Sequence, residues 1–224
     1  MDVSPARIID YALLRPDATR ADVERTCREA IEDGIHAVFV NSCWVALCAE
    51  IIDGSNTLVG GVSGFPLGAT CRRVKALEAE RIIADGGSEV DMVMNIGALK
   101  SRDLKVVEED ISSVRNVCSD EIILKVIIEC CLLTDEEKGL ACEIVERAGA
   151  DFVKTSTGMS NGGATVSDVH LLRGACSRSM GIKAAGGIRT LDDVIRVCKA
   201  GASRVGTSRA VDIIKEWKAR KGSI

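Results

Sequence analysis

Two lysines in the second half of the chain lie in unusually apolar surroundings. Lys154 ends the run Ala-Asp-Phe-Val-Lys, and Lys183 lies in Gly-Ile-Lys-Ala, a run that we expect to form the next strand. If both side chains point inward from strands about 4.8 Å apart, their amines lie roughly 5–7 Å apart. At an effective dielectric near 20, two ammonium groups at that distance repel each other by roughly 2.8 kcal/mol, or about two pKa units.

An amine that gives up its proton near neutral pH can attack a carbonyl carbon and form a Schiff base. Repulsion and burial together would lower the pKa of one of the two lysines from about 10.4 toward 8. The alternative is that each lysine ends a strand and extends its head group into water. Since both lysines are predicted on adjacent strands and are followed by polar, glycine-containing loops, the sequence leaves both interpretations open.

Asp91 is the candidate partner of these lysines. It lies inside Ser-Glu-Val-Asp-Met-Val-Met, where an aspartate is costly unless it is paired or hydrogen-bonded. Its functional interpretation is proton transfer with the lysine pair, and the alternative is a surface position on a strand. Lys125, within Leu-Lys-Val-Ile-Ile, and Asp10, at the end of the first apolar run, carry the same ambiguity and are candidate substrate-binding residues.

Three short segments with glycine or hydroxyl side chains could hold a phosphate group. Such residues leave backbone N–H groups free to point at an anion, and barrels usually bind phosphate in the loops after strands seven and eight. Each segment alone is a weak signal, because ordinary turns use the same residues. The candidate phosphate-binding residues are Thr155, Gly158, Gly186, Gly187, Gly206 and Ser208.

The elements that would position these residues alternate regularly along the chain. Short apolar runs predict strands near 7–11, 36–40, 57–62, 89–94, 122–128, 151–154, 180–184 and 203–207. Between them lie amphipathic helical patterns, including 19–32, 71–84, 103–118 and 134–147, the last opened by a Thr134–Glu137 capping box. Gly34, Gly86, Gly149 and Gly201 stand where helices should end.

Eight strand–helix units predict a (β/α)8 TIM barrel, an α/β fold, as a single domain over 1–224. Active sites of such barrels lie at the carboxyl ends of the strands, which is where the candidate residues fall. The alternative, a doubly wound open sheet, would want a glycine fingerprint after the first strand. The residues there, Asp-Tyr-Ala-Leu-Leu, do not form one.

Composition excludes several classes of function. The 224 residues carry a net charge of −4, which gives no support to a nucleic-acid partner, and no apolar run approaches the roughly 18 residues of a membrane helix. The first residues, Met-Asp-Val-Ser-Pro, show no secretory signal, so we expect a cytoplasmic protein whose ten cysteines are reduced and mainly fill the core. Two histidines leave little room for a zinc site, and we expect no metal or cofactor.

Longer motifs resemble those of the deoxyribose-phosphate aldolase family. Phe-Val-Lys-Thr-Ser-Thr-Gly, ending at Gly158, resembles its Schiff-base motif, and Gly-Ile-Lys-Ala-Ala-Gly-Gly-Ile-Arg-Thr, ending at Thr190, resembles its second lysine segment. Glu-Val-Asp-Met-Val and Asn-Ile-Gly-Ala-Leu-Lys resemble its aspartate segment. Gly-Phe-Pro-Leu-Gly, Leu-Lys-Val-Ile-Ile-Glu and Val-Gly-Thr-Ser also fit, so the resemblance covers nearly the whole chain in order.

The resemblance implies a metal-free class I aldolase that interconverts 2-deoxy-D-ribose 5-phosphate with acetaldehyde and D-glyceraldehyde 3-phosphate. It implies Lys154 as the Schiff-base lysine, Lys183 as the neighbouring cation that keeps it uncharged, and Asp91 with Lys183 as a proton relay. It also implies a homo-oligomer, dimer or tetramer.

Three positions depart from the family pattern, and two other functions stay open. Ala12 stands where a threonine is usual, Met159 offers no cation after Thr-Ser-Thr-Gly, and Arg209 replaces a small residue. These departures bear on phosphate affinity more than on the reaction. The open alternatives are a different lysine aldolase or sugar-phosphate isomerase on the same barrel, and a non-catalytic sugar-phosphate-binding barrel whose lysines only hold anions.

Overall fold

The computed structural model describes residues 4–222, and its centre is a closed ring of eight parallel strands. The strands are β1 (Ile9–Leu13), β2 (Ala37–Val40), β3 (Leu58–Ser63), β4 (Glu89–Val93), β5 (Ile123–Ile127), β6 (Phe152–Lys154), β7 (Gly181–Ala185) and β8 (Arg204–Thr207).

Each strand pairs with the next along the chain, and β8 pairs with β1 to close the ring. The register places Asp10 opposite Gly206 at the closing seam and Lys154 opposite Lys183 between β6 and β7. Closure confirms the predicted (β/α)8 barrel and rules out the open sheet. The outermost residues of the predicted domain, 1–3 and 223–224, lie outside the described residues.

Helices connect the strands and cover the outside of the ring. They are α1 (Arg20–Asp33), α2 (Val45–Ile52), α3 (Arg72–Ala84), α4 (Ile96–Lys100), α5 (Leu104–Arg115), α6 (Asp135–Arg147), α7 (Val166–Ala175), α8 (Leu191–Ala200) and α9 (Ala210–Lys221). The predicted capping box of Thr134 and Glu137 opens α6, where each residue's side chain accepts a hydrogen bond from the other's backbone N–H. Gly34 ends α1 in the left-handed region at φ 63°.

The start of the first predicted strand and the end of one predicted helix are wrong. The first strand begins at Ile9 rather than residue 7, because residues 5–8 form a 3₁₀ turn capped by the Ser4 hydroxyl. The helix predicted over 103–118 ends at Arg115. The short helices α2 and α4 follow β2 and β4 in segments for which no helix is predicted above.

The apolar core lies between the strands and the helices, not inside the ring. Outward-facing residues such as Val38, Val90, Val126 and Ile182 are fully buried there. Five cysteines share this layer, as predicted: Cys27, Cys48, Cys118, Cys130 and Cys142. Cys43, Cys71 and Cys131 are exposed and do not fill the core.

Within residues 4–222, none of the helices combines the length and the apolar character that crossing a bilayer requires.

Candidate active site

Charged side chains fill the inside of the ring. Strand alternation sends every second side chain inward, so Val90 and Met92 face the core while Glu89 and Asp91 face the barrel axis. We call the seven inward-facing ionisable residues the charge cluster. Its members are the carboxylates Asp10, Glu89 and Asp91 and the cations Lys125, Lys154, Lys183 and Arg204.

The two lysines named by the sequence meet on Asp91. The Lys154 Nζ lies 2.7 Å and the Lys183 Nζ 2.6 Å from the same oxygen, Oδ2 of Asp91. Two amines on one oxygen lie within about 5 Å of each other. The side chains are 4% and 1% exposed, which excludes the alternative of head groups extended into bulk water. Asp10 joins them, its Oδ2 2.5 Å from the Lys183 Nζ.

Lys125 and Arg204 form a lower layer of the charge cluster. Lys125 pairs with Glu89 and lies 3.2 Å from Oδ1 of Asp91, and Arg204 donates to Asp10 at 2.9 Å and to Glu89 at 3.1 Å. Burial alone would lower the pKa of Lys125, but Asp91, Asp10 and Glu89 outweigh it and raise the pKa. Lys125 therefore stays charged and cannot serve as a nucleophile.

The charge cluster holds four cations and three anions, and Lys183 is a cation that holds its proton weakly there. Burial is the main cause that lowers the pKa of Lys183 to about 8, and the charges of Lys154 and Lys125 add to it, against the opposing effect of Asp10 and Asp91. Burial would raise the pKa of Asp91, yet the three lysines around it hold it well below the usual range. The Asp91 carboxylate therefore stays ionised, whereas Lys183 can lose its proton near neutral pH.

A cavity of about 480 Å³ opens above the charge cluster at the carboxyl ends of the strands. Lys154, Lys183 and Asp10 reach it from below, and the loops after β6, β7 and β8 surround it. The predicted phosphate-binding residues that line it are Gly158, Gly186, Gly187, Gly206 and Ser208.

Three predicted site residues lie outside the cavity lining. Asp91 is fully buried beneath the two lysines, and Lys125 lies deeper still. The Thr155 hydroxyl donates to the carbonyl and accepts from the N–H of Ala185, so it ties β6 to β7. Lys125 and Thr155 thus have partners within the protein, and their role in substrate binding stays a prediction.

The glycines of the mouth are required by its backbone. Gly158, Gly186 and Gly187 have φ of 80°, 88° and 78°, in the left-handed region that favours glycine. A Cβ on Gly186 would lie 3.0 Å from the Cα of Gly163, so the loops after β6 and β7 pack backbone against backbone.

The three departures from the family pattern differ in position. Ala12 and Met159 line the cavity, and Met159 is 47% exposed. Arg209 does not line it: its Nε lies 2.6 Å from Asp212 in the first turn of α9, with the side chain 58% exposed.

Sequence reasoning missed Glu129, which supports the loop after β6. This buried glutamate has φ 54°, an unusual value for a residue with a side chain, and its Oε2 accepts a 2.5 Å hydrogen bond from the Thr157 hydroxyl. Its place directly after a buried strand was the available signal.

Arg189 was missed as well. Its exposed side chain lines the cavity, and within residues 4–222 no carboxylate pairs with it. Arg189 comes two residues after Gly187 in the sequence, and a cation so close to a predicted phosphate-binding segment was the signal that could have identified it.

One group of residues has the composition of a metal site. Asp10, His36 and Glu89 each offer a ligand atom, all within 4.8 Å of one another. The Arg204 guanidinium already donates to both carboxylates, and His36 lies 2.9 Å from Glu89. A cation of the protein itself occupies the place that a metal would need.

A (β/α)8 barrel whose paired lysines meet on a buried carboxylate beneath a glycine-lined cavity has the groups that an aldolase of the lysine type requires. The model of the DeoC/LacD family aldolases matches residues 9–215. Deoxyribose-phosphate aldolase 1 of Bacillus licheniformis is 51% identical over 210 residues, 94% of each chain. The enzyme of that name from Streptococcus gordonii is 52% identical over 93% of this chain and 94% of its own.

A solved structure agrees with these relatives. Deoxyribose phosphate aldolase from Aeropyrum pernix superposes with a TM-score of 0.89 at 33% identity, over 96% of this chain and 91% of that one. The chain belongs to the DeoC/LacD family of aldolases.

Proposed function

We propose that this aldolase works through a Schiff base on Lys154 and that its substrate is 2-deoxy-D-ribose 5-phosphate. The enzyme cleaves this sugar phosphate reversibly to acetaldehyde and D-glyceraldehyde 3-phosphate, the activity for which its relatives are named. The observation that carries the proposal is the pair of buried lysine amines on one oxygen of Asp91.

Lys154 is the better nucleophile of the two lysines that reach the cavity. Its only ion-pair partner among the described residues is Asp91, whereas Lys183 also pairs with Asp10. Burial and the charges of Lys154 and Lys125 lower the pKa of Lys183 to about 8, so the pair of amines can hold a single proton near neutral pH. Lys183 has two carboxylate partners, Asp10 and Asp91, for the proton that stays in the pair, so we assign the attack to the Lys154 amine.

Lys183 then serves as both acid and base. Neutral Lys154 attacks C1 of the open-chain sugar, and the Lys183 ammonium gives its proton to the hydroxyl that leaves as water, so a protonated imine forms. Lys183, now neutral, accepts the proton of the C3 hydroxyl. The C2–C3 bond breaks, its electron pair moves toward the imine nitrogen, and C3 becomes the aldehyde carbon of the released glyceraldehyde 3-phosphate.

The resulting enamine returns to the starting state by the same proton path. Lys183 protonates C2, and water hydrolyses the imine to release acetaldehyde and free Lys154. The positive charge moves between the two lysine nitrogens at each step, so the net charge beside Asp91 does not change. Asp91 holds both nitrogens and stabilises whichever one carries the charge.

The phosphate group is held mainly by backbone. Gly158, Gly186 and Gly187 after β6 and β7, and Gly206 and Ser208 at the end of β8, line the cavity, and their backbone N–H groups are the proposed donors to the phosphate. Arg189 adds a cation at the rim. This arrangement supports a dianion without the lysine that Met159 replaces.

Borohydride trapping tests the proposal. Acetaldehyde with sodium borohydride should add an ethyl group, located by peptide mass spectrometry, to Lys154 and should abolish activity. Lys154→Met should prevent labelling, and Lys105→Met on the exposed face of α5 is the matched control. Labelling that persists in Lys154→Met would contradict the assignment. An absence of labelling in the native enzyme would favour a barrel whose lysines only hold anions.

The same proposal covers assembly and location. The homologue from Aeropyrum pernix is described as tetrameric, which supports a homo-oligomer here, and light scattering of the purified protein tests it. Ten cysteines without a disulfide suit the reducing cytoplasm. The substrates are small molecules, with no nucleic-acid partner.

A further inference from the structure

An aromatic ring lies among the charges inside the barrel. Phe39, on β2, is 1% exposed, and its neighbours Val38 and Val40 face the apolar core on the other side of the strand. The Lys183 Nζ lies 3.9 Å and the Lys125 Nζ 4.3 Å from the centroid of its ring. Both distances fall within the range in which a ring face attracts a cation.

The barrel makes room for this ring on the adjacent strand. Gly60 pairs with Phe39 between β2 and β3, and a Cβ on Gly60 would lie 2.2 Å from the ring. Any other residue at position 60 would push the ring toward the lysines or off them. The small residue and the ring therefore form one packing unit.

The charged groups around Lys183 can be assigned strand by strand. β2 contributes the Phe39 ring, β3 contributes Gly60, and the ionisable groups come from the remaining strands. They are Asp10 (β1), Glu89 and Asp91 (β4), Lys125 (β5), Lys154 (β6) and Arg204 (β8). Arg204 and Lys125 stay charged, so the proton that moves is shared between Lys154 and Lys183.

We infer that Phe39 is a positioning residue that keeps the shared proton on Lys183 and so leaves Lys154 as the free nucleophile. The ring faces one amine of the pair and not the other, since within residues 4–222 no aromatic ring covers Lys154. The ring therefore stabilises the state in which Lys183 carries the positive charge relative to the state in which Lys154 carries it. The inference deepens the proposed function and rests on its assignment of Lys154.

A graded change of the ring tests this role without removing the side chain. Phe39 is replaced through site-specific incorporation by 4-fluoro- and then 3,4,5-trifluorophenylalanine, which weaken the ring's attraction for a cation while keeping nearly the same shape. The readout is the pH profile of kcat/KM for cleavage of 2-deoxy-D-ribose 5-phosphate, with circular dichroism to confirm folding. The same replacements at Phe65, which is partly buried outside the charge cluster, are the matched control.

The alkaline limb of the profile reports loss of the proton that Lys183 holds. Across the fluorinated series it should move to lower pH by roughly 0.5–1 unit, while the acid limb stays in place. An alkaline limb that does not move, or that moves equally in the Phe65 series, overturns the inference even if kcat/KM falls.

Trapping of the unmodified enzyme separates the two levels of the proposal. If borohydride labels Lys154 but the alkaline limb does not move in the fluorinated Phe39 series, the role of Phe39 is refuted and the proposed function is not. If Lys154 is not labelled, the assignment of the nucleophile fails first.

Discussion

Replacing Lys183 by methionine removes one cation and keeps a long side chain in the barrel. The amines of Lys183 and Lys154 lie within about 5 Å, and at an effective dielectric near 20 their repulsion is about 3 kcal/mol, or about two pH units. Without Lys183 the remaining three cations balance three carboxylates, so Lys154 keeps its proton to higher pH. The acid limb of kcat/KM should move to higher pH by about two units.

Acetaldehyde release in the cleavage direction, followed from pH 6 to 11, measures this profile. kcat should also fall at every pH, because the donor of the imine-forming step is lost. Imine trapping with borohydride should nevertheless recover at high pH, where Lys154 is uncharged.

Lys183→Arg provides the matched control. It retains the charge, so the acid limb should stay near that of the native enzyme, whereas kcat falls because a guanidinium does not release its proton. If Lys183→Met lowers the rate and leaves the acid limb in place, the charge of Lys183 does not set the state of Lys154. The residue would then act in proton transfer alone, and the electrostatic argument would be refuted.

Three further predictions concern the mouth of the barrel and the loop that follows β6. Arg209→Ser should change KM for the phosphorylated sugar by less than tenfold, about 1.4 kcal/mol, because its side chain forms an ion pair within α9. Gly206→Val should raise KM for the phosphorylated sugar more than Arg209→Ser does, because a Cβ at position 206 lies 3.2 Å from Cε of Lys183 and obstructs the approach of the phosphate to the backbone. Steady-state kinetics measure both variants. A KM that rises far more in Arg209→Ser than in Gly206→Val would contradict binding of the phosphate by the backbone. Glu129→Gln should destabilise the fold by about 1 kcal/mol, because the amide offers Thr157 a neutral acceptor in place of a carboxylate, and an unchanged urea midpoint would count against that role.

The fold was predictable because its signal is repeated eight times. Each apolar run marks a strand, and each amphipathic run with a cap marks a helix, so errors at single boundaries such as Ile9 leave the architecture unaffected. The short helix α4 escaped prediction because its start depends on the Asn95 side chain, which accepts from the Ala98 N–H, rather than on a long periodic pattern.

The site was predictable only in part. Asp91, Lys154 and Lys183 stand out because charges in apolar runs are rare. Their pairing through a single oxygen depends on the register and closure of the ring, which no local pattern encodes. The role of Phe39 was hidden for a different reason, since an aromatic residue in a strand is ordinary until its neighbours across the barrel are known.

The seam between the first and last strands has a consequence for synthesis of the chain. Asp10 on β1 bonds to Arg204 on β8, a partner 194 residues later, and Lys183 on β7 also reaches Asp10. A nascent chain that has emerged only through β6 brings three inward carboxylates and two lysines, an excess of one negative charge. Arg204 and Lys183 reverse that sign only when the last two strands are made. The aldolase centre is thus absent from every shorter fragment, and appearance of activity during translation would mark the moment at which the ring closes.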